Sequence, residues 1–395
     1  MPCDPTRRLA IGLAVLVTGA LGIPATGQSE LLESARRQSN PTKIRRAPSD
    51  LARLWNAEVE ESVVRGLAWL ASAQQTGGYF HGTVGHKRGD NYMVFRSQDQ
   101  QARARRGHVG VTALAGMAFL AGGHLPNRGK YGKQVRLITE YLISRVGENG
   151  FVTDSGTRMY SHAFATLYLA EVYGADRNRQ IKATLEKAVH IIVDCQNAHG
   201  AWRYNPFSKE ADLSVTVCQL QALRAARNIG IRVPVNCIDH AVEYVRNSQT
   251  DSGRSKGLFY YKIHGRGSYQ KNTQFAINAA AVTALNSAGI YERRLLAPAI
   301  DFLIDEVDVV QEWYPHHFYF WYGNYYACQA LYHSEGLIRD RCFRDYYRGI
   351  KKHLLKDQRS DGRWLNDVGP GDVFSTAVAC IVLQVPKQYL PIFQR

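Results

Sequence analysis

One structural unit recurs along this chain, and the recurrence limits the possible folds more than any other feature. Each copy is an amphipathic segment of helical periodicity that ends in a glycine-containing turn and an aromatic residue. The two clearest copies are Gln196/Gly200/Trp202 and Gln358/Gly362/Trp364. A chain built this way should fold as stacked copies of one supersecondary unit.

A second helix is predicted after each turn, and its surface is apolar on most sides. These segments are 109–120, 160–172, 213–226, 274–288, 320–332 and 373–383. A helix that is apolar all round is buried, whereas the first helix of each pair carries charges on one face, as Glu60 and Arg65 do beside Val63 and Leu67. The sequence therefore predicts alternating outer and inner helices.

Closure of the repeats into a ring is predicted from the two ends of the array. Each pair leaves apolar surface that only a neighbouring pair can cover, so an open solenoid needs polar caps at both ends. Here the first and last inner helices are as apolar as the middle ones. The predicted fold class is all-α, an α/α toroid of about six helical hairpins over residues 63–395, with the inner-helix N-termini around one mouth.

The N-terminus predicts export. Arg7 and Arg8 precede an apolar run over 9–23, and small residues up to Gly27 offer a cleavage site. We predict a signal peptide over 1–27, a tether over 28–62, and a periplasmic or extracellular protein without a membrane span in the mature chain. A retained N-terminal anchor is the alternative.

The formal net charge is +15, and much of the excess lies in the basic segment 87–106. This segment could contact an anionic surface, or it could be a solvated loop. No nucleic-acid-binding motif accompanies the charge, so no nucleic-acid partner is predicted. The cysteines show no zinc-site spacing, and no metal or cofactor is predicted. Cys218, Cys328 and Cys380 fall on the inner helices and are expected in the core.

The Gln–Gly–Trp turns resemble the repeat of the squalene cyclase and protein prenyltransferase family, including bacterial exported members of unassigned activity. The resemblance covers residues 63–395 and implies a terpenoid-cyclase-like toroid. In that family the glutamine ties one outer helix to the next and the aromatic packs beneath it. The resemblance carries this role to Gln74, Gln196, Gln249 and Gln358, with Trp202 and Trp364.

The same resemblance directs attention to one acidic segment. Squalene cyclases carry an Asp-rich DxDD motif whose middle Asp protonates the substrate, and the nearest segment here is 210–213, with Glu210 first and Asp212 in the middle place. Asp212 is the candidate catalytic acid and Glu210 the group that tunes it. The alternative is that Asp212 caps a helix, as Asp372 occupies the equivalent place in another repeat. The zinc-binding Asp-x-Cys element of prenyltransferases is absent.

The most aromatic part of the chain is 313–326, and some of its rings should face the centre of the toroid. Aromatic faces bind apolar ligands and stabilise cations. Ordinary packing between crowded helices is the alternative interpretation. The predicted substrate-binding residues are Trp202, Tyr204, Tyr314, His317, Tyr319, Trp321, Tyr322 and Tyr325.

These observations give a leading function and two alternatives. The leading hypothesis is a terpenoid-cyclase-like protein whose aromatic cavity binds an apolar ligand such as a polyprenoid; if it catalyses, it would be an isomerase or transferase of that family. The first alternative is a non-catalytic exported binding or scaffold protein. The second is a toroidal polysaccharide-active enzyme, which needs two carboxylates across a cleft. His162 is a weaker acid–base candidate.

Overall fold

The computed structural model of the protein describes residues 49–83, 85–88, 91–94, 107–263, 274–312, 314 and 319–393. The predicted signal peptide, His317 and the basic side chains of 87–106 lie outside the described residues. No helix in these ranges is both long enough and apolar enough to cross a bilayer.

Within the described ranges, twelve long helices form two layers. The outer layer consists of α2 (Ala57–Ala73), α4 (Gly132–Ser144), α6 (Arg179–Asp194), α8 (Val235–Asn247), α10 (Arg293–Asp305) and α13 (Cys342–Asp357). The inner layer consists of α3 (Val109–Ala121), α5 (Met159–Ala175), α7 (Leu213–Asn228), α9 (Phe275–Ser287), α12 (Phe320–Ser334) and α14 (Asp372–Gln384). All six predicted inner helices are confirmed to within three residues at each end.

Shorter elements complete the described chain. They are the helices α1 (Ser49–Ala52) and α11 (Val307–Gln311), an antiparallel hairpin of β1 (Gly85–Arg88) and β2 (Asn91–Val94), and 3-10 turns at Val385–Lys387 and Pro391–Phe393. The helix α2 begins at Ala57, so the ring includes residues that the sequence analysis assigned to the tether.

Burial separates the two layers as the periodicity predicts. Every residue of α3 is buried, whereas α6 buries only the face that carries Ile181, Leu185, Val189 and Ile192. Cys218, Cys328 and Cys380 are buried on inner helices, which confirms them as core residues, and all six described cysteines have free thiols.

The inner helices form a closed ring. Contacts run in order from α3 through α5, α7, α9 and α12 to α14, and α14 returns to α3. Each inner helix also packs against the outer helix that follows it in the chain, and α14 packs against α2. The two ends of the array thus form the sixth hairpin between them, because this leaves no apolar helix face uncovered.

The predicted glutamine ties are present at all four positions. Gln196 Nε2 donates to the carbonyl oxygens of Gly200 (2.9 Å) in its own turn and Cys237 (2.8 Å) on the next outer helix. The corresponding acceptors on the next outer helix are Gln134 for Gln74, Leu295 for Gln249 and Ser62 for Gln358. The last of these bonds joins α13 to α2 and so fastens the ring.

Glycine is required in these turns because two backbones approach closely. Gly200 has a φ of +75°, and a Cβ atom there would lie 2.5 Å from the carbonyl oxygen of His240 on α8. Gly362 has a φ of +97°, and a Cβ atom there would lie 2.5 Å from the carbonyl oxygen of Arg65 on α2. Only glycine combines the positive φ with the missing side chain.

The tryptophans after these glycines are fully buried and hydrogen-bonded on both sides. Trp202 Nε1 donates to the carbonyl oxygen of Ile192 at the end of α6 (2.8 Å), and its backbone N–H donates to Thr216 Oγ1 on α7 (3.2 Å). Trp364 bonds in the same way to Leu354 (2.8 Å) and Thr376 (3.1 Å). The aromatic residue of the repeat therefore joins an outer helix to the following inner helix, as the family resemblance implied.

The C-terminal segment lies against the ends of inner helices that point away from the mouth. His333 Nε2, on α12, bonds to the carbonyl oxygen of Ile392 (2.8 Å), and the backbone N–H of Ile392 bonds to Glu171 on α5. Glu171 is only 5% exposed, and burial raises the pKa of its carboxyl group to about 8. The folded protein therefore holds a buried, protonated glutamic acid at neutral pH.

This pKa predicts how stability depends on pH. Between the unfolded value of about 4.5 and the folded value of about 8, only the folded state keeps this proton, so the contribution of Glu171 to stability falls as pH rises, by at most about 1.4 kcal/mol per pH unit. In Glu171→Gln this fall should be absent. The melting temperature of the variant relative to that of the wild type should therefore be higher at pH 8 than at pH 5. Glu140→Gln, at an exposed position on α4, is the matched control. An equal response of both variants to pH would contradict the assignment.

Candidate functional site

Asp212 stands immediately before α7 at the mouth formed by the inner-helix N-termini. Its Oδ1 accepts hydrogen bonds from the backbone N–H of Val215 (2.8 Å) and from Ser214 Oγ (2.7 Å). This is N-cap geometry, in which the side chain satisfies a backbone N–H that has no partner within the helix. The side chain is fully buried.

The second oxygen of Asp212 forms an ion pair with Arg203. The Arg203 guanidinium also donates to the hydroxyl of Tyr261 (3.0 Å), and its Cζ lies 4.0 Å from the centre of the Tyr204 ring. Every partner of Asp212 is thus a hydrogen-bond donor. Both carboxyl oxygens of Asp212 are therefore engaged by donors of the described chain, as expected of a helix cap that also anchors an arginine.

Glu210 is half-exposed and pairs with cations. Its Oε2 lies 3.1 Å from Lys262 Nζ and 3.5 Å from Arg203 Nε. The hydrogen bond and charge of Lys262, followed by Arg203, lower the pKa of the Glu210 carboxyl group. Glu210 therefore balances two cations at the rim and does not share a proton with Asp212.

The pairing of an acidic residue with a cation from its own turn recurs around the mouth. Asp372 Oδ2 lies 3.1 Å from Arg363 Nη1. Arg363 precedes Asp372 by nine residues, and Arg203 precedes Asp212 by the same distance in sequence. Asp154 accepts from the hydroxyl of Tyr141 (2.9 Å) and lies 3.7 Å from Arg145. The repetition indicates a structural requirement of the turn.

Four partly exposed tyrosines converge next to the Arg203–Asp212 pair. We call this group, Tyr160, Tyr204, Tyr261 and Tyr322, the mouth tyrosine cluster. The Tyr160 ring centre lies 6.0 Å from that of Tyr204 and 6.4 Å from that of Tyr322. The Tyr204 and Tyr261 hydroxyls are 2.6 Å apart. Helices α5 and α12 and the turns before α7 and α9 therefore contribute to a single aromatic surface.

The remaining hydroxyls of the cluster are bonded to α7. Tyr160 Oη lies 2.5 Å from Ser214 Oγ, and Tyr322 Oη donates to the carbonyl oxygen of Ser214 (3.2 Å). Each phenol group of the cluster thus has a protein partner, so the ring faces and edges are what the cluster presents outwards.

Below the cluster the ring is filled by its own side chains. Helices α7 and α12, which are not neighbours in the ring, touch through Cys218 Sγ and Tyr326 Oη (3.0 Å) and through Gln221 Nε2 and Gln329 Oε1 (2.6 Å). Helices α5 and α12, which lie opposite each other in the ring, touch through Phe164 and Tyr325 (ring centres 5.7 Å apart). The sequence left open whether the centre is hollow; in the described part side chains occupy it at these levels.

The predicted aromatic residues therefore divide into separate places. Tyr204 and Tyr322 lie in the mouth tyrosine cluster, and Tyr325 lies below it, 1% exposed and edge-on to Phe164. Tyr319 is partly exposed at the start of α12. Trp202 lies in the turn described above, away from any exposed surface.

Tyr314 and Trp321 belong to a second aromatic group, packed against α13. Tyr314 contacts Trp321 (ring centres 5.7 Å apart) and His353 (5.1 Å). Its hydroxyl accepts from the backbone N–H of Leu365, and Trp321 Nε1 donates to the carbonyl oxygen of Leu365. These contacts hold the turn before α14 and do not involve the mouth tyrosine cluster.

Three residues of the site were missed by the sequence analysis: Tyr160, Tyr261 and Arg203. Tyr160 is the first residue of a predicted inner helix, so its position at the mouth was available as a signal. The nine-residue spacing from Arg203 to Asp212, repeated from Arg363 to Asp372, was another. No comparable signal exists for Tyr261.

His162 is a structural residue. Its Nδ1 accepts from the backbone N–H of Val152 (3.0 Å) and its Nε2 bonds to the carbonyl oxygen of Ala188 (3.0 Å). Burial lowers the pKa of the imidazole to about 4, so it is neutral at pH 7. His162 accepts from a turn N–H as Thr216 and Thr376 do. With the second bond to Ala188, both ring nitrogens that acid–base chemistry would need are occupied.

No protein-family model and no curated protein sequence matches the chain. Solved structures do. Cellobiose 2-epimerase from Spirochaeta thermophila DSM 6192 matches with a TM-score of 0.60 at 13% identity, over 88% of this chain and 99% of that one. The chain has the α/α toroid fold.

Two further toroids bind different ligands. Type II terpene cyclase MstE from Scytonema, in complex with geranylgeranyl dihydroxybenzoate, matches with a TM-score of 0.55 at 13% identity, over 84% of this chain and 98% of that one. An α-1,6-mannanase of Salegentibacter sp. HEL1_6, with mannotriose bound, gives 0.58 at 8% identity, over 84% and 99%. The toroid is terpene-cyclase-like in fold, and this fold serves more than one chemistry.

Proposed function

We propose that this toroid is a binding protein that takes an apolar ligand, such as an isoprenoid, on the mouth tyrosine cluster. The observation that carries the proposal is the internal bonding of the four phenol hydroxyls, which leaves aromatic faces as the contact surface. Aromatic faces bind apolar groups by area and by ring contacts. The filled interior supports a ligand that lies at the mouth and does not enter the centre of the ring.

The charged groups of the mouth support binding more than catalysis. Asp212 is surrounded by donors, and Glu210 is paired with Lys262 and Arg203. We therefore assign neither carboxylate the role of general acid. The terpene cyclase fold is retained in this proposal, while proton transfer through the 210–213 segment is not part of it.

The polysaccharide-active alternative has less support at this mouth. Glycoside hydrolysis needs two carboxylates that face the substrate from opposite sides. Each of four acidic residues near the inner-helix starts lies next to a cation: Asp154, Glu210, Asp212 and Asp372. Export, and contact of the 87–106 segment with an anionic surface, stay predictions from the sequence that are compatible with a binding role.

Removal of one ring from the cluster tests the proposal. We expect Tyr322→Ala to bind farnesol, a fifteen-carbon isoprenoid alcohol, about tenfold more weakly than the wild type, because an apolar contact surface is lost. Tyr322→Phe keeps the ring and should keep most of the affinity. Affinity is measured by displacement of the neutral fluorophore N-phenyl-1-naphthylamine from the purified protein.

Tyr389→Ala is the matched control, since Tyr389 is 54% exposed near the C-terminus and belongs to no part of the cluster. It should bind farnesol as the wild type does. Absence of farnesol binding by the wild type, or saturable binding of mannotriose or cellobiose that Tyr322→Ala abolishes, would reject the apolar ligand. The second result would favour a carbohydrate at the same place.

A further inference from the structure

Two of the three guanidinium nitrogens of Arg203 contact described side chains. Nη1 bonds to Asp212 and to the hydroxyl of Tyr261, and Nε lies 3.5 Å from Glu210 Oε2. No described residue accepts a hydrogen bond from Nη2. The side chain is 20% exposed at the edge of the mouth tyrosine cluster, so this N–H group can be reached from the same side as the rings.

The guanidinium is held rigidly. Its Cζ lies 4.0 Å from the centre of the Tyr204 ring. The fully buried Asp212 anchors one end of the guanidinium and is itself fixed by two donors from α7. A planar donor that is fixed by an ion pair and a ring loses little further freedom when it makes another hydrogen bond. Asp212 is in this sense a positioning residue for Arg203.

The surrounding charges determine which acceptor suits this donor. Arg203 and Lys262 are balanced by Asp212 and Glu210, so the four formal charges cancel. An anionic group on Nη2 would lie close to the Asp212 carboxylate and would be repelled by it. A neutral oxygen gains the hydrogen bond without that repulsion.

We propose that the natural ligand is a neutral amphipathic molecule, with an apolar body on the mouth tyrosine cluster and a hydroxyl or carbonyl oxygen that accepts from Arg203 Nη2. This inference rests on the proposed function. It restricts the ligand to alcohols, ketones or esters and excludes acids, phosphates and plain hydrocarbons.

Three fifteen-carbon probes separate these classes: farnesol, farnesoic acid and the hydrocarbon farnesane. For the wild type we expect farnesol to bind about tenfold more tightly than farnesane, the effect of one hydrogen bond from a charged donor. Farnesoic acid, ionised at pH 8, should bind no more tightly than farnesol, and the farnesol affinity should not change between low and high salt.

Two variants assign the preference to Arg203. Arg203→Lys keeps a cation for Asp212 but removes the planar fork, and the double variant Arg203→Met/Asp212→Asn removes the donor without leaving a buried charge unpaired. Both should bind farnesol and farnesane equally. Arg363→Lys, at the equivalent arginine of another repeat, is the matched control and should keep the tenfold preference. Thermal melts verify that each variant is folded.

The outcomes distinguish this inference from the proposed function. Equal binding of farnesol and farnesane by the wild type, or a preference that persists in the double variant, would overturn the inference and leave the aromatic site standing. Tightest binding by farnesoic acid, weakened by salt, would replace the neutral ligand with an anionic one. Failure of all three probes to bind would remove the proposed function itself.

Discussion

Asp212→Ala is expected to lower the free energy of unfolding by about 3–5 kcal/mol. The substitution removes an N-cap from α7 and leaves the Arg203 guanidinium without its buried counter-ion. Loss of the buried partner costs more than the pair contributes, because Arg203 is then held in a mostly buried position with only Glu210 as a counter-ion. The midpoint and slope of urea denaturation, followed by circular dichroism, measure the change.

Asp372→Ala provides the comparison from the equivalent place in the last repeat. There the carboxylate and Arg363 are 26% and 39% exposed, so solvent screens the pair and we expect a loss of about 1 kcal/mol or less. Asp212→Asn should lose less than Asp212→Ala, since asparagine caps a helix as well as aspartate does. Wild-type stability of Asp212→Ala would contradict the structural role and return Asp212 to consideration as an acid.

Trp364→Ala should cost a similar amount, about 3–5 kcal/mol, for a different reason. The indole is fully buried and joins α13 to α14 next to the Gln358 bond that fastens the ring to α2. Its removal leaves a cavity at the closure between the two ends of the array, where no covalent connection compensates. Thermal and urea denaturation report the loss.

Trp69→Ala is the matched control for Trp364→Ala. Trp69 lies on α2 and is partly exposed, so its truncation should cost less than about 1.5 kcal/mol, the lower end for a fully buried side chain. If the two variants lost the same stability, the importance of the buried turn for ring closure would be refuted. Trp202 makes the same bonds in the turn between α6 and α7, in the middle of the repeat array, and Trp202→Ala should behave like Trp364→Ala.

The three solved toroids show how little the fold restricts chemistry. An epimerase, a terpene cyclase and a mannanase share it with this chain at 8–13% identity. Function therefore has to be inferred from the side chains of the site. In this chain the turns and inner-helix starts place paired charges and tyrosines with bonded hydroxyls at the mouth, and we locate the proposed ligand there.

The repeating features of this protein could be predicted from the sequence alone. Helix period, apolar inner segments and the glycine turns each report a local requirement that recurs along the chain. The close approach of Gly200 to α8 is repeated at Gly78, Gly150 and Gly362, whereas the segment 306–319 has no glycine. Ring closure also followed, because the terminal inner helices carry no polar face. The sequence predicts the cap at Asp212 because Asp372 repeats its place, but Asp372 is the first residue of α14 and makes no cap bond there. What the two places share is the ion pair with the arginine nine residues earlier.

Only the tertiary structure determined the candidate site. Tyr160, Tyr204, Tyr261 and Tyr322 come from separate repeats, and they meet because the closed ring brings the inner-helix starts to one mouth. Contacts across the centre, such as Phe164 to Tyr325, join helices that neither adjoin in sequence nor pack as neighbours. A periodic pattern specifies which face of each helix points inwards. It does not specify which side chains from opposite helices touch, because that depends on the diameter of the ring and on how side-chain volumes fill it.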